Sequence, residues 1–256
     1  MRVLLTCGIG DFLAIESHLT ADERAGVEVV HWATRAREWL LPLIPFAFPN
    51  VREHVTERDV WGPPGHPSYS VGSRDELPGL DPAVVDWSVR RIIEQVHGGE
   101  RPFTGSTFAA TPLCAVAHLD LPREFAVIHP YSENARTPLR DLTADEWALT
   151  SSRMRSRAMP IVIVNQGRER FAPAPGVIDL TNRLTLLEAM EVTKRAFCFV
   201  GAASVFSVIA AKKLTADRLF IKGNVFLKNQ FSAFYYAPHE SNSFIGDNLM
   251  EILPNA

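Results

Sequence analysis

The 256-residue sequence predicts an α/β protein built on parallel sheets, and three observations point there. Short apolar, β-branched runs recur along the chain and alternate with amphipathic stretches of helical length. Capping signals open the helices: Asp81-Pro82, Thr143 with Glu146, and Thr185 with Glu188. Strand–helix–strand alternation with connections of this length implies parallel pairing through right-handed crossovers.

The elements follow in order. "RVLLT" (2–6) and "VEVVH" (27–31) read as buried strands, with a helix after Gly10 that carries Phe12, Ile15 and Leu19 on one face. Residues 40–80 hold "LPLIPFAFPN" and "WGPPGHPSYSVGSRDELPG", so rich in proline and glycine that loops are expected throughout. A stretch of that kind is often a binding or lid segment. Asp81-Pro82 opens a helix of about 15 residues that ends at Gly98-Gly99. A second break around "GGERPFTGSTFAATPL" and "LDLPRE" divides the chain near residue 120, giving halves 1–120 and 121–256. Beyond it come strands "FAVIH" (125–129), "PIVIV" (160–164), "GVIDL" (176–180), "FCFV" (197–200) and "RLFIK" (218–222), with capped helices after Thr143 and Thr185.

Composition narrows the class. The chain is 46% hydrophobic and 21% charged, a globular balance, and its net charge of −3 lacks the basic excess of a nucleic-acid binder. Cys7, Cys114 and Cys198 are widely spaced, as expected of reduced thiols and not of a disulfide framework or zinc site. No run of 18–20 apolar residues is present, and "MRVLLTCGIG" lacks the apolar core of a signal peptide. A soluble cytoplasmic protein is the expectation, compatible with peripheral membrane association. The oligomeric state is not legible.

Three motifs carry chemistry. In "LLTCGIGDFLAIESHL" (4–19), Gly8 and Gly10 form part of a dinucleotide fingerprint, but Leu13 stands at the third glycine position and His31-Trp32 ends the second strand. Asp11 then reads either as a helix cap or as a carboxylate at the end of the first strand, able to take a proton from a substrate hydroxyl. "VIHPYSENARTPLRDLTADEWA" (127–148) runs from a strand into Ser132, Glu133, Asn134 and Arg136, a polar loop or a cradle for a phosphate-bearing ligand. "FVGAASVFSVIAAKKL" (199–214) runs from Gly201 through Ala203 and Ser204 into a helix. Its small residues serve packing or the close approach of a phosphate. The sequence offers no carboxylate pair or histidine cluster with metal-ligand spacing.

Taken together and in this order, the motifs resemble the ADP-heptose–lipopolysaccharide heptosyltransferases and related glycosyltransferases of the GT-B fold. "GIGDFL" matches the family's strand–glycine–aspartate–helix opening, "VIHPYSENARTPL" its second-half loop with Tyr131 in place of glycine, and "VIDLTNRLTLLEAM" its best-matched segment. "VGAASVFSVIAA" keeps the family serine at Ser204, with Ala203 for aspartate, Val205 for glycine and Ser207 or its neighbour for histidine. The resemblance implies two Rossmann-like halves with parallel sheets facing a cleft. It further implies Asp11 as base and a metal-independent, inverting transfer. The donor nucleotide sugar, a substrate and not a cofactor, would be held by Gly10, Ser132, Arg136, Asn165, Gln166, Gly201, Ala203 and Ser204. Trp61, His66 and Tyr69 would lie on the side of a glycan or small-molecule acceptor, Lys222 and Lys228 near the diphosphate, and the aromatic tail "FLKNQFSAFYYAPHESNSF" over the cleft or at a subunit contact. A modified DNA base is an alternative acceptor, against which the acidic balance weighs. A non-catalytic nucleotide-sugar binder and a nicotinamide dehydrogenase are the remaining readings.

Overall fold

The computed structural model describes residues 1–5, 8–33, 40–57, 86–131, 141–165, 176–223, 234–238, 244–246 and 249. The chain divides into two compact units, Met1–Phe108 and Ala109–Ala256. The division suggested by sequence, at 120/121, falls inside the second unit. There Lys194 reaches back to the Thr111 carbonyl at 2.6 Å and Glu191 accepts the Leu113 amide at 3.0 Å.

The first unit is a parallel sheet in the order β3-β2-β1-β4, made of β1 (Arg2–Leu5), β2 (Val29–Ala33), β3 (Glu53–Glu57) and β4 (Trp87–Ser88). Helix α1 (Ile9–Ser17) links β1 to α2 (Ala21–Gly26), which leads into β2. Phe12, Leu13, Ile15 and Leu19 are fully buried, and the Phe12 ring meets Phe48 and Phe108 edge-on at 5.7 and 5.9 Å. These aromatic contacts tie α1 to the segments that carry Phe48 and Phe108. Glu16, on the same helix, is buried as well; burial pushes its carboxyl above the ordinary range, although Ser106, the Thr107 amide and Arg24 all stabilise its charge.

Three expectations are revised here. Residues 40–80 are not all loop, since α3 (Ile44–Ala47) and β3 lie within them. The run "EHVTE" starts polar because β3 is the sheet edge beside β2, and Glu53 and His54 are exposed there. The helix anticipated from Asp81 is described from Val89 to His97 (α4), because Trp87 and Ser88 pair with Val3 and Leu4 and are extended. Ile92 and Val96, one turn apart, are its buried face. The second strand is shifted to 29–33, its register set by pairing with β1.

The second unit contains the parallel strands β5 (Ala126–His129), β6 (Ile161–Ile163), β7 (Val177–Asp179), β8 (Cys198–Ala202), β9 (Leu219–Lys222) and β10 (Phe244–Gly246), in spatial order β10-β9-β8-β5-β6-β7. Read from β5 this is the doubly wound order 3-2-1-4-5-6, with the reversal between β5 and β8. Between the strands run α5 (Thr107–Ala110), which leads in from the first unit, α6 (Ala144–Ser156), α7 (Leu186–Arg195) and α8 (Val205–Lys213). The capping boxes read from sequence are made: Thr143 Oγ1 accepts the Glu146 amide and Thr185 Oγ1 the Glu188 amide, at 3.2 and 3.3 Å. One face of the sheet packs Ile128, Ile163, Val200 and Phe220 against Trp147 and Met154 of α6. Part of the aromatic tail is ordinary core and sheet: Phe234 is fully buried, and β10 extends the sheet beside β9.

A very close backbone approach lies at the reversal. A Cβ on Gly201 would stand 2.3 Å from the His129 carbonyl oxygen, so only glycine fits. Gly8 is different: a Cβ there would meet Asp11 Oδ2 at an ordinary 3.5 Å. Gly201→Ala is therefore expected to lower stability by about 2–4 kcal/mol and Gly8→Ala by less than about 1 kcal/mol. Urea unfolding midpoints of the two variants measure the contrast.

Candidate functional site

In a doubly wound sheet, ligands bind beyond the carboxyl ends of the strands, where the order reverses. In the second unit that crevice is bounded by the His129–Tyr131 end of β5 and by Gly201–Ser204 at the β8–α8 turn, and His129 pairs with Gly201 in register. Asn165, at the end of β6, is buried on the same edge, its carbonyl accepting the Asn182 amide at 3.0 Å. Four sequence-predicted residues, Asn165, Gly201, Ala203 and Ser204, are thus gathered along one edge. Ser132, Arg136, Gln166, Trp61, His66, Tyr69 and Lys228 lie outside the described residues.

The β8–α8 turn shows what its small residues do. Ala202 and Ala203 are buried, and the Ala203 amide donates to the Lys222 carbonyl at 2.8 Å. Ser204 caps α8: its Oγ accepts the Phe206 amide at 3.2 Å, and its own amide donates to Ser207 Oγ at 2.9 Å. An incoming phosphate at this helix start would exchange with those two capping bonds. The positive end of the helix remains directed at the crevice.

His129, the last residue of β5, stands on this edge. Its ring is buried, meets Phe206 edge-on at 4.8 Å, and places Nδ1 2.7 Å from the Val164 carbonyl. A carbonyl can only accept, so Nδ1 carries the proton. Burial lowers the His129 pKa to about 4, outweighing the Val164 bond and the Asp141 charge, and the ring is neutral at pH 7.

Lys222, expected near a diphosphate, is committed elsewhere. Its Nζ donates to Glu146 Oε2 at 2.6 Å and to the Asp141 carbonyl at 2.7 Å, and both side chains of the pair are buried. The Glu146 carboxylate also accepts the Thr143 amide at 2.7 Å and the Leu249 amide at 2.9 Å. Burial alone would raise its pKa. Lys222 and the two amides outweigh that and hold the carboxyl below its ordinary value. Sequence showed this glutamate only as half of a capping box; its partners come from positions 76 and 103 residues away.

In the first unit, Asp11 is the third residue of α1 at the carboxyl end of β1, half-exposed. Its Oδ2 accepts the Gly8 amide at 2.9 Å, half of a capping box, since glycine has no side chain to return the bond. Gly8 is the N-cap of α1 and Gly10 lies within the helix. The cap does not preclude a chemical role for the half-exposed carboxylate, because an ionised carboxylate has about four acceptor positions. Of the thiols, Cys198 is buried and raised to about 12 by that burial, and Cys114 is half-buried and also raised, first by burial. Both are protonated at neutral pH.

Among the described residues no group of three or more His, Cys, Asp or Glu could hold a metal ion, and no helix is long and apolar enough to cross a membrane. No protein-family model matches the chain, and no curated protein sequence does. Solved structures do match in fold. The iron-containing dodecameric glycosyltransferase TibC from enterotoxigenic E. coli H10407 matches at 13% identity and TM-score 0.48, over 86% of this chain and 56% of its own. The dodecameric iron-containing heptosyltransferase TibC in complex with ADP-D-β-D-heptose matches at 13% identity and TM-score 0.50, over 97% and 64%. The heptosyltransferase WaaC of E. coli, with ADP, matches at 16% identity and TM-score 0.49, over 97% and 95%. The chain spans less than two thirds of the TibC chains it matches. The fold is that of the GT-B glycosyltransferases.

The buried His129 makes stability depend on pH. Its pKa is about 6.5 when unfolded and about 4 when folded, so the unfolded chain binds the extra proton between those values. Its contribution is complete above pH 6.5 and is lost as pH falls towards 4, amounting to about 3 kcal/mol. In His129→Asn that part of the slope disappears, as chemical denaturation at a series of pH values would record.

Proposed function

We propose that the protein transfers a sugar from a nucleotide-sugar donor to an acceptor hydroxyl, with Asp11 as the general base. The observation that carries this reading is the strand order of the second unit. Its reversal brings Gly201, Ala203 and the start of α8 to the place where a doubly wound sheet takes a nucleotide. That TibC, of the same fold, holds ADP-D-β-D-heptose supports a sugar-nucleotide over a nicotinamide ligand.

The step balances without a covalent intermediate. The acceptor oxygen forms a bond to the anomeric carbon while the bond from that carbon to the diphosphate oxygen breaks. The acceptor proton passes to Asp11 and the bonding pair leaves with the nucleoside diphosphate. Attack opposite the leaving group inverts the anomeric centre. The N-terminus of α8 offsets charge on the leaving diphosphate, so the reading needs no metal for this role. Gly8, by donating to Asp11 Oδ2, orients the carboxylate that takes the proton. The acceptor is a glycan or a small molecule.

A second reading, a nucleotide-sugar binder without turnover, is favoured by one observation: the Gly8 bond gives Asp11 a sufficient structural reason to be there. Thermal shift with a panel of nucleotides and nucleotide sugars, followed by turnover with the donor that binds, separates the two. A nucleoside diphosphate at one hundred times its Kd should stabilise the protein by about 2.7 kcal/mol. Asp11→Asn should keep that shift and lose turnover by at least about 100-fold. Binding without turnover in the unmodified protein favours the binder, and the absence of any shift removes both readings.

A further inference from the structure

The second unit carries a cavity on the opposite, amino-terminal edge of its sheet. It has a volume of about 610 Å³ and lies among the segment preceding β5 and the last turns of α7 and α8. Its walls bring four cationic side chains, Arg123, Lys194, Arg195 and Lys213, together with two carboxylates, Asp120 and Glu191. Val116 and Phe125, both buried, supply apolar lining.

Glu191 pairs with two of the cations, and the lining as a whole keeps a positive excess. Glu191 is buried and fully engaged: Oε2 accepts Lys194 Nζ at 2.9 Å and the Leu113 amide at 3.0 Å, and Oε1 accepts Arg195 Nε at 3.2 Å. Lys194 is buried beside it and directs a second bond to the Thr111 carbonyl. Arg195 is half-exposed and presents its terminal guanidinium nitrogens beyond that single bond. Arg123 and Lys213 are exposed and form no ion pair with a carboxylate among the described residues. Cations in the last turns of α7 and α8 complement the helix dipoles, but each helix end amounts to only about half a unit charge. Arg123 belongs to neither helix.

We propose that this cavity is a second ligand site, for an organic phosphate. The dianionic head meets Arg123, Arg195 and Lys213, and the apolar body lies on Val116 and Phe125. The volume suits a small organic molecule, for which pockets run from about 300 to 1,000 Å³. Buried Glu191, itself anchored by Lys194, holds Arg195 in place, so the site is preorganised where its charge is needed. The four residues of β5 separate this edge from the nucleotide edge by about 13 Å, and the proposal does not rest on glycosyl transfer.

Titration calorimetry of the full chain with phenyl phosphate at fixed ionic strength tests it. The unmodified protein should bind saturably. The double variant Arg123→Ser/Lys213→Ser, altered only at exposed side chains, should bind at least tenfold more weakly. Arg52→Ser, an exposed cation of the first unit, should bind as the unmodified protein does. Absence of binding, undiminished binding by the double variant, or equal loss in Arg52→Ser would each overturn the proposal. Retention of phenyl phosphate by the double variant would place any anion binding elsewhere, at the nucleotide edge included.

Discussion

Where β5 and β8 run side by side, the Gly201 backbone sits so close to the His129 carbonyl that no side chain fits between them. Much of the second unit follows from that contact. It joins the strands at which the sheet reverses, and helices leaving β5 and β8 must diverge from there. The gap between those diverging connections is what a ligand can enter. Gly201 also leaves room for the His129 ring to turn towards Phe206 and the Val164 carbonyl, tying β5 to β6 and to α8 through one neutral, buried imidazole.

A second constraint closes the far side of the same edge. The Glu146 carboxylate collects Lys222 at the end of β9, the amide of the N-cap Thr143 and the Leu249 amide. Left alone in the interior, either charge would cost several kcal/mol. Paired and fully hydrogen-bonded, the ions gather three segments distant in sequence into one arrangement. The cost is chemical, since a lysine engaged in this way is not available as a cation for a ligand. Among the described residues, the start of α8 is the positive feature of the edge that remains.

The fold was largely legible because its strands are buried on both faces and read as continuous apolar runs, as at Val127-Ile128 and Val162-Ile163. The helix starts at Thr143 and Thr185 were legible for a local reason: both partners of a capping box lie within one turn. What escaped was non-local. β3 is polar because it is an edge, and β4 is two residues long, so neither has an apolar pattern to detect. At the site, Gly201 and Ser204 could be found because a strand running into small residues before a helix has a known use. The commitment of Lys222 could not be read, because its partner Glu146 is 76 residues away. Asp11 was found as a carboxylate at the end of a strand, but its bond to Gly8 is of the kind that serves a cap and a base equally.

The central claim is that the nucleotide edge of the second unit is the crevice between the ends of β5 and β8. Hydrogen exchange of the full chain with and without saturating ADP addresses it directly. The account predicts added protection confined to backbone amides near His129–Tyr131 and Gly201–Ser207, with Asn165 beside them. Protection at the amino-terminal edge around Arg123 and Arg195 instead, or none at either edge under saturating nucleotide, would contradict it.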